Sequence, residues 1–195
     1  MDDRLGSQMR FLNEIEKLKL VYRRNKLVDR SRGENSAEHS WHVAMMAMVL
    51  AEHVDGQRLD VWRVVKMLLI HDLVEIYAGD TWLYDEAGAL EQGDKEEMAA
   101  KRLFSLLPSD QAQEMLELRR EFEERSTPEG AFAASVDALQ PLTNYLLSGQ
   151  AGDSDPAPAR ERVVERKRHI EASSVRLWGL AKDLIEKSVE RGLYR

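Results

Sequence analysis

Residues 60–77 read DVWRVVKMLLIHDLVEIY, and the reading of this stretch decides the fold. Val61, Trp62, Val64, Val65, Met67, Leu68, Leu69, Ile70, Leu73, Val74 and Ile76 recur at helical spacing and leave almost no polar face. A helix of that kind, expected from Asp60 to about Tyr77, belongs at the centre of a helical protein. His71 and Asp72 stand in its middle. A carboxylate buried there without a partner carries a large desolvation penalty, so the doublet requires a cation: an arginine, a helix end or a metal ion.

The same period continues on both sides. A first helix is expected from about Gln8 to Tyr22, with Met9, Leu12, Ile15, Leu18 and Val21 on one stripe, and the charged segment from Arg23 to Asn35 reads as loop. Asn35 followed by Glu38 forms a capping box that starts a second helix, running to about Val54. Gly79 to Gly93 reads as a loop with aromatics. Further helices are expected over Asp94–Leu107, stopped by Pro108, over Ser109–Arg125, and from Thr127-Pro128-Glu129 past Asp137 to Leu147. Residues 148–158 read as a flexible connection to a last amphipathic region, Arg160 to about Glu190. The expectation is an all-α fold of six or more helices with no sheet, forming one domain over residues 1–195.

Composition narrows the chemistry. With 195 residues, 43% of them hydrophobic, the chain can bury a core of its own, and with no cysteine it has no disulfide, thiolate metal site or thiol nucleophile. Any metal must therefore sit on nitrogen and oxygen. The formal net charge of −7 argues against a nucleic-acid polymer as partner. Apolar runs fall far short of the ~20 residues that span a bilayer, so no membrane partner and a cytoplasmic location are expected.

Asp137 repeats the problem of Asp72, flanked by Phe132, Val136, Leu139 and Leu142, with Pro141 placed to kink its helix one turn later. His39, in the first turn of the second helix, can reach the same centre. His39, His71, Asp72 and Asp137 make an N2O2 set that suits one divalent transition metal, Mn, Fe(II), Co, Ni or Zn, with a position left for water or substrate. Arg23, Arg24, Lys26, Arg30 and Arg32 bring five positive charges to the segment just before His39. That cluster suits a solvated loop or a phosphate contact, since a guanidinium fork matches phosphate geometry. His42 reads as a neighbour of the metal site rather than a ligand, and His53 and His169 as helix-surface residues. Trp41, Trp62 and Trp178 read as core, and Trp82 as a candidate substrate contact.

The order His39, His71-Asp72, Asp137 resembles the H…HD…D signature of HD-domain phosphohydrolases. Leu18-Lys19-Leu20, Arg23, the run RGENSAEHS from Arg32 to Ser40, and His71-Asp72-Leu73-Val74-Glu75 through Gly79-Asp80 are similar to the 5′-deoxynucleotidase branch of that superfamily. The likeness covers most of the chain and is most specific over residues 1–80. The resemblance implies an HD-type helical fold around one metal ion. It also implies hydrolysis of deoxynucleoside 5′-monophosphates to deoxynucleoside and phosphate, and a homodimer. It gives Glu75 the task of orienting or deprotonating the attacking water. Asp80 matches a second required acid, which either protonates the leaving oxygen or holds the sugar. Arg23 matches the arginine that contacts the phosphate; one extra residue between Leu18 and His39 makes Arg24 the alternative, where a member of the branch carries an aromatic.

Two other readings compete. An HD-type alarmone pyrophosphohydrolase shares an acid four residues after the doublet's histidine, but its loops should differ from the Arg-Gly-Glu-Asn run. A non-catalytic helical protein with a structural metal would leave Glu75 and Asp80 without a use. Dinuclear HD enzymes need further histidines between doublet and last aspartate, and none occurs between Asp72 and Asp137.

Overall fold

The helical period carries through most of the chain in the computed structural model, which describes residues 3–56, 58–79, 86–154 and 156–195, with backbone alone over 86–92. The elements are α1 (Asp3–Ile15), a 3₁₀ segment (Glu16–Leu20), β1 (Tyr22–Lys26), β2 (Gly33–Asn35), α2 (Ser36–Leu50) and α3 (Val61–Ile70). After a short 3₁₀ turn that ends α2 (Ala51–His53), a third 3₁₀ segment (His71–Val74) follows α3 and leads into α4 (Glu75–Ala78), then α5 (Glu86–Phe104), α6 (Ser109–Glu124), α7 (Pro128–Ser148), α8 (Arg160–Lys167), α9 (Ile170–Ser173) and α10 (Val175–Glu190). None of the described helices is long and apolar enough to cross a membrane.

The central element is α7 rather than α3. Its Phe132, Ala133, Val136, Leu139 and Leu142 are all buried, and α2, α3, α6, α9, α10 and β1 pack around it. Small residues explain this placement: Gly130, Ala133, Ala134, Ser135 and Ala138 let neighbouring helices approach on several sides. Thr127 caps α7 by accepting from the Gly130 amide at 3.0 Å, with Pro128 in the first turn.

Several sequence expectations need correction. The segment from Arg23 to Asn35 is not plain loop: β1 and β2 form a two-stranded antiparallel hairpin, so the fold is helical with one small sheet. Gly33 permits it, because a Cβ there would meet the carbonyl oxygen of Arg23 at 2.9 Å. The expected continuous helix from Asp60 to Tyr77 tightens to 3₁₀ at His71, whose Nδ1–H donates to the Leu68 carbonyl at 2.8 Å. α5 begins at Glu86, well before Asp94, and the last helical region breaks into three.

The expected stripe on α1 also shifts. Phe11 and Leu18 are buried while Met9 and Leu12 are exposed. Trp41 and Trp62, expected in the core, are 64% and 65% exposed; with Met45, Met48, Val49 and Leu69 they form an apolar face on α2 and α3. A helix that is apolar all round is thus packed on one side only within this chain. Trp178 is buried as expected.

Candidate metal centre

Local geometry brings His39 inward first. Asn35 accepts from the Glu38 amide at 2.9 Å and the Glu38 carboxylate accepts from the Asn35 amide at 3.1 Å, so the expected capping box is present. This fixes the first turn of α2 with His39 and Ser36 facing the interior and fully buried. His71 and Asp72 follow α3, and Asp137 lies on α7.

Donor atoms of His39, His71 and Asp72 lie within 4.8 Å of one another. Asp137 Oδ1 stands 2.9 Å from His39 Nε2 and 3.5 Å from His71 Nε2, and Asp72 Oδ1 stands 3.0 Å from His71 Nε2. All four residues expected as a ligand set are brought together. The tautomers matter more than the distances. His39 Nδ1–H faces the Gln140 amide oxygen at 3.1 Å, and Gln140 is oriented by donating through Nε2 to Glu34 at 2.9 Å. His71 Nδ1–H is likewise committed to the Leu68 carbonyl.

In neutral rings, both Nε2 atoms must then present lone pairs to carboxylate oxygens. Lone pairs facing one another in a buried place require a cation between them or a proton on an imidazole. Burial alone would lower the pKa of His71, but Asp72 and Asp137 outweigh it and raise it to about 9. The same two imidazoles, against the effect of burial, hold the Asp137 carboxyl well below the usual range. His71 Nε2 and Glu34 Oε2 are buried without a hydrogen bond. This donor set, with its Nδ1 atoms tied back by acceptors, fits a divalent metal ion.

A cavity of about 660 Å³ opens from this cluster. His71, Asp72, Glu75 and Asp137 line it, and Arg23, Arg24, Lys26, Arg125, Arg166 and Lys167 bring positive charge to it. Glu75 accepts from the Ser36 hydroxyl at 2.6 Å, which orients the carboxylate. Arg23 donates to Asp72 Oδ2 at 2.9 Å and lies 3.8 Å from Glu34 Oε2. Arg24, on the same strand, also lines the cavity. Asp80 and Trp82 lie outside the described residues.

His42 approaches Gln140 at 3.3 Å, one step removed from the cluster. His169 is not a surface residue: it lines the cavity and its Nε2 lies 3.3 Å from the Ala134 carbonyl. Three residues escaped the reading of the sequence. Glu34 and Gln140 orient His39, and the signal for Gln140 was a polar residue one turn after Asp137 in an apolar helix. Lys167 is buried in the cavity wall, and its signal was a lysine on the stripe that carries Val163 and Ile170. Burial lowers the Lys167 pKa to about 8; Asp137 opposes this, and Arg23 and Arg125 reinforce it.

Comparison with known proteins follows the same lines. A family model described as the HD domain matches residues 15–178. The human protein named 5′-deoxynucleotidase HDDC2 is 31% identical over 155 residues, covering 79% of this chain and 72% of that protein. A Klebsiella pneumoniae protein named 5′-deoxynucleotidase is 27% identical over 164 residues, 80% of this chain and 81% of that one. A crystal structure described as a predicted metal-dependent phosphohydrolase from Magnetospirillum magnetotacticum superposes with a TM-score of 0.91 at 45% identity, covering 99% of this chain and 96% of that one.

Proposed function

Since the chain belongs to the HD-domain family of metal-dependent phosphohydrolases, we propose that it hydrolyses deoxynucleoside 5′-monophosphates to deoxynucleoside and phosphate. The observation that carries the metal-dependent part of this reading is the convergence of His39 Nε2, His71 Nε2, Asp72 Oδ1 and Asp137 Oδ1, with both Nδ1–H groups committed elsewhere. The deoxynucleotide part rests on the names of the relatives and on the matching residues.

In this reading His39, His71, Asp72 and Asp137 hold one divalent ion. Such an ion, when bound, acidifies water and offsets negative charge on a phosphoryl group. Glu75, oriented by Ser36, takes the proton from the attacking water or aims it at phosphorus. Arg23 orients Asp72 and faces the same cavity, so it both steadies a ligand and attracts the phosphate. Asp80 retains the sugar-holding or acid role that its sequence match implies. The apolar face of Trp41, Met45, Met48, Val49, Trp62 and Leu69 supports a homodimer, because an exposed patch of that kind marks an interface.

A phosphate-release screen of purified protein over deoxy- and ribonucleoside monophosphates, with added Mn, Co, Fe, Ni or Zn, tests the proposal. Release from deoxynucleotides in excess over ribonucleotides, dependent on metal, is the expected result. Equal rates on both sugars, or hydrolysis confined to pyrophosphates, would reject the deoxynucleotidase assignment.

A further inference from the structure

The positive charges around the cavity are not equivalent. Arg23 is engaged by Asp72 and Glu34. The same cavity is lined by Lys167 and Arg166 from α8 and Arg125 from the α6–α7 junction, and none of their side chains has a hydrogen bond or ion pair among the described residues. Lys167 is 6% exposed. Its stem is thus packed into the protein while the side chain lines the cavity, and no carboxylate stands at ion-pair distance from its ammonium among the described residues. Lys167 also lies close enough to Asp137 to be attracted by it, and to Arg23 and Arg125 to be repelled by them. Lys167, Arg125 and Arg166 therefore line the cavity without a protein anion at ion-pair distance among the described residues, whereas Arg23 is engaged by Asp72.

We infer that Lys167, flanked by Arg125 and Arg166, forms an anion subsite that receives the non-bridging oxygens of a phosphate monoester and of the inorganic phosphate left after its hydrolysis. The inference rests on the phosphohydrolase reading for the identity of the ester, while the subsite itself is a statement about phosphate binding. Arg23 divides its charge between Asp72 and the phosphate, and Lys167 adds an attraction that no ligand residue shares at hydrogen-bond distance. The ammonium offers several donors to tetrahedrally arranged oxygens. Because no carboxylate among the described residues is at ion-pair distance from it, an incoming phosphate can pair with the ammonium without displacing a protein anion.

The test uses inorganic phosphate as probe on the metal-loaded protein, followed by calorimetric titration and by product inhibition. Lys167→Met should weaken phosphate binding about tenfold or more and raise KM for a deoxynucleoside monophosphate by a similar factor, with metal content unchanged. Thermal stability of the phosphate-free variant should be unchanged or higher, which separates loss of a ligand contact from loss of a structural one. Lys167→Arg should recover part of the affinity. The paired variant Arg125→Gln/Arg166→Gln provides a second arm should Lys167→Met not fold, with a smaller loss of phosphate affinity expected. Unchanged phosphate affinity and KM in Lys167→Met, or in the paired variant if that alone folds, would overturn the subsite. Phosphate binding that depends on Lys167 in a protein that turns over no deoxynucleotide would uphold the subsite and reject the proposed activity.

Discussion

Two cations that line the same cavity stand in opposite circumstances. Arg23 from the hairpin is locked to Asp72 at 2.9 Å, whereas the buried side chain of Lys167 from α8 has no carboxylate at ion-pair distance among the described residues. The difference separates a cation shared with a ligand residue from one left to what enters the cavity. Asp72 already engages Arg23 in the folded protein, whereas Lys167 has only the more distant attraction of Asp137. An exposed pair such as Arg4–Asp110, at 2.8 Å on the outer surface, belongs to neither class, because water already solvates both partners.

The largest effect should come from the His–Asp cluster that both cations adjoin. His71→Ala should take metal content from about one ion per chain to near none and abolish phosphate release, as elemental analysis and a phosphate assay would show. Retained metal would remove His71 from the ligand set. Next, Glu75→Gln should keep the metal but lower kcat by about 10²- to 10⁴-fold. A large loss of metal instead would make Glu75 a ligand.

Removing the paired cation should hurt the fold as well as the chemistry. In metal-free protein, Arg23→Met should cost about 3 kcal/mol in denaturant unfolding by leaving Asp72 uncompensated, whereas Lys167→Met should cost nothing. Equal losses for the two would erase the distinction between the two cations. The smallest effect belongs to the outer pair. The Arg4 guanidinium lowers the Asp110 pKa to about 2, so its contribution is present above the unfolded value near 4 and fades as pH falls through about 2. Comparing acid unfolding of the native protein with that of Arg4→Ala should show a slight divergence above pH 4 that closes toward pH 2.

The sequence was most legible where burial and charge conflict. His71, Asp72 and Asp137 stand out because carboxylates and imidazoles in apolar helices need a common explanation, and the capping box fixed the start of α2 and so the place of His39. Periodicity could not show that His71 tightens its helix, since that depends on a ring N–H reaching the Leu68 carbonyl. Nor could it reveal the hairpin, whose strands are short, charged and half-exposed; Gly33 mattered through a close approach that only the paired strand makes evident. Trp41 and Trp62 read as core because apolar residues at helical spacing look alike on a buried and an exposed face. Lys167 is not legible because a lysine on an apolar stripe usually reaches solvent along its length, and only the packing of α8 against α7 and α10 leaves this one 6% exposed.

The central claim is that the buried His–Asp cluster is a metal-dependent phosphohydrolase centre. Its most direct test is to strip the protein with chelator and titrate back a divalent ion, following bound metal and phosphate release from a deoxynucleoside monophosphate in the same samples. Release should appear in proportion to bound metal and saturate near one ion per chain, with neither metal nor release in His71→Ala. Phosphate release that persists at full rate without metal, or metal that binds without His71, would contradict it.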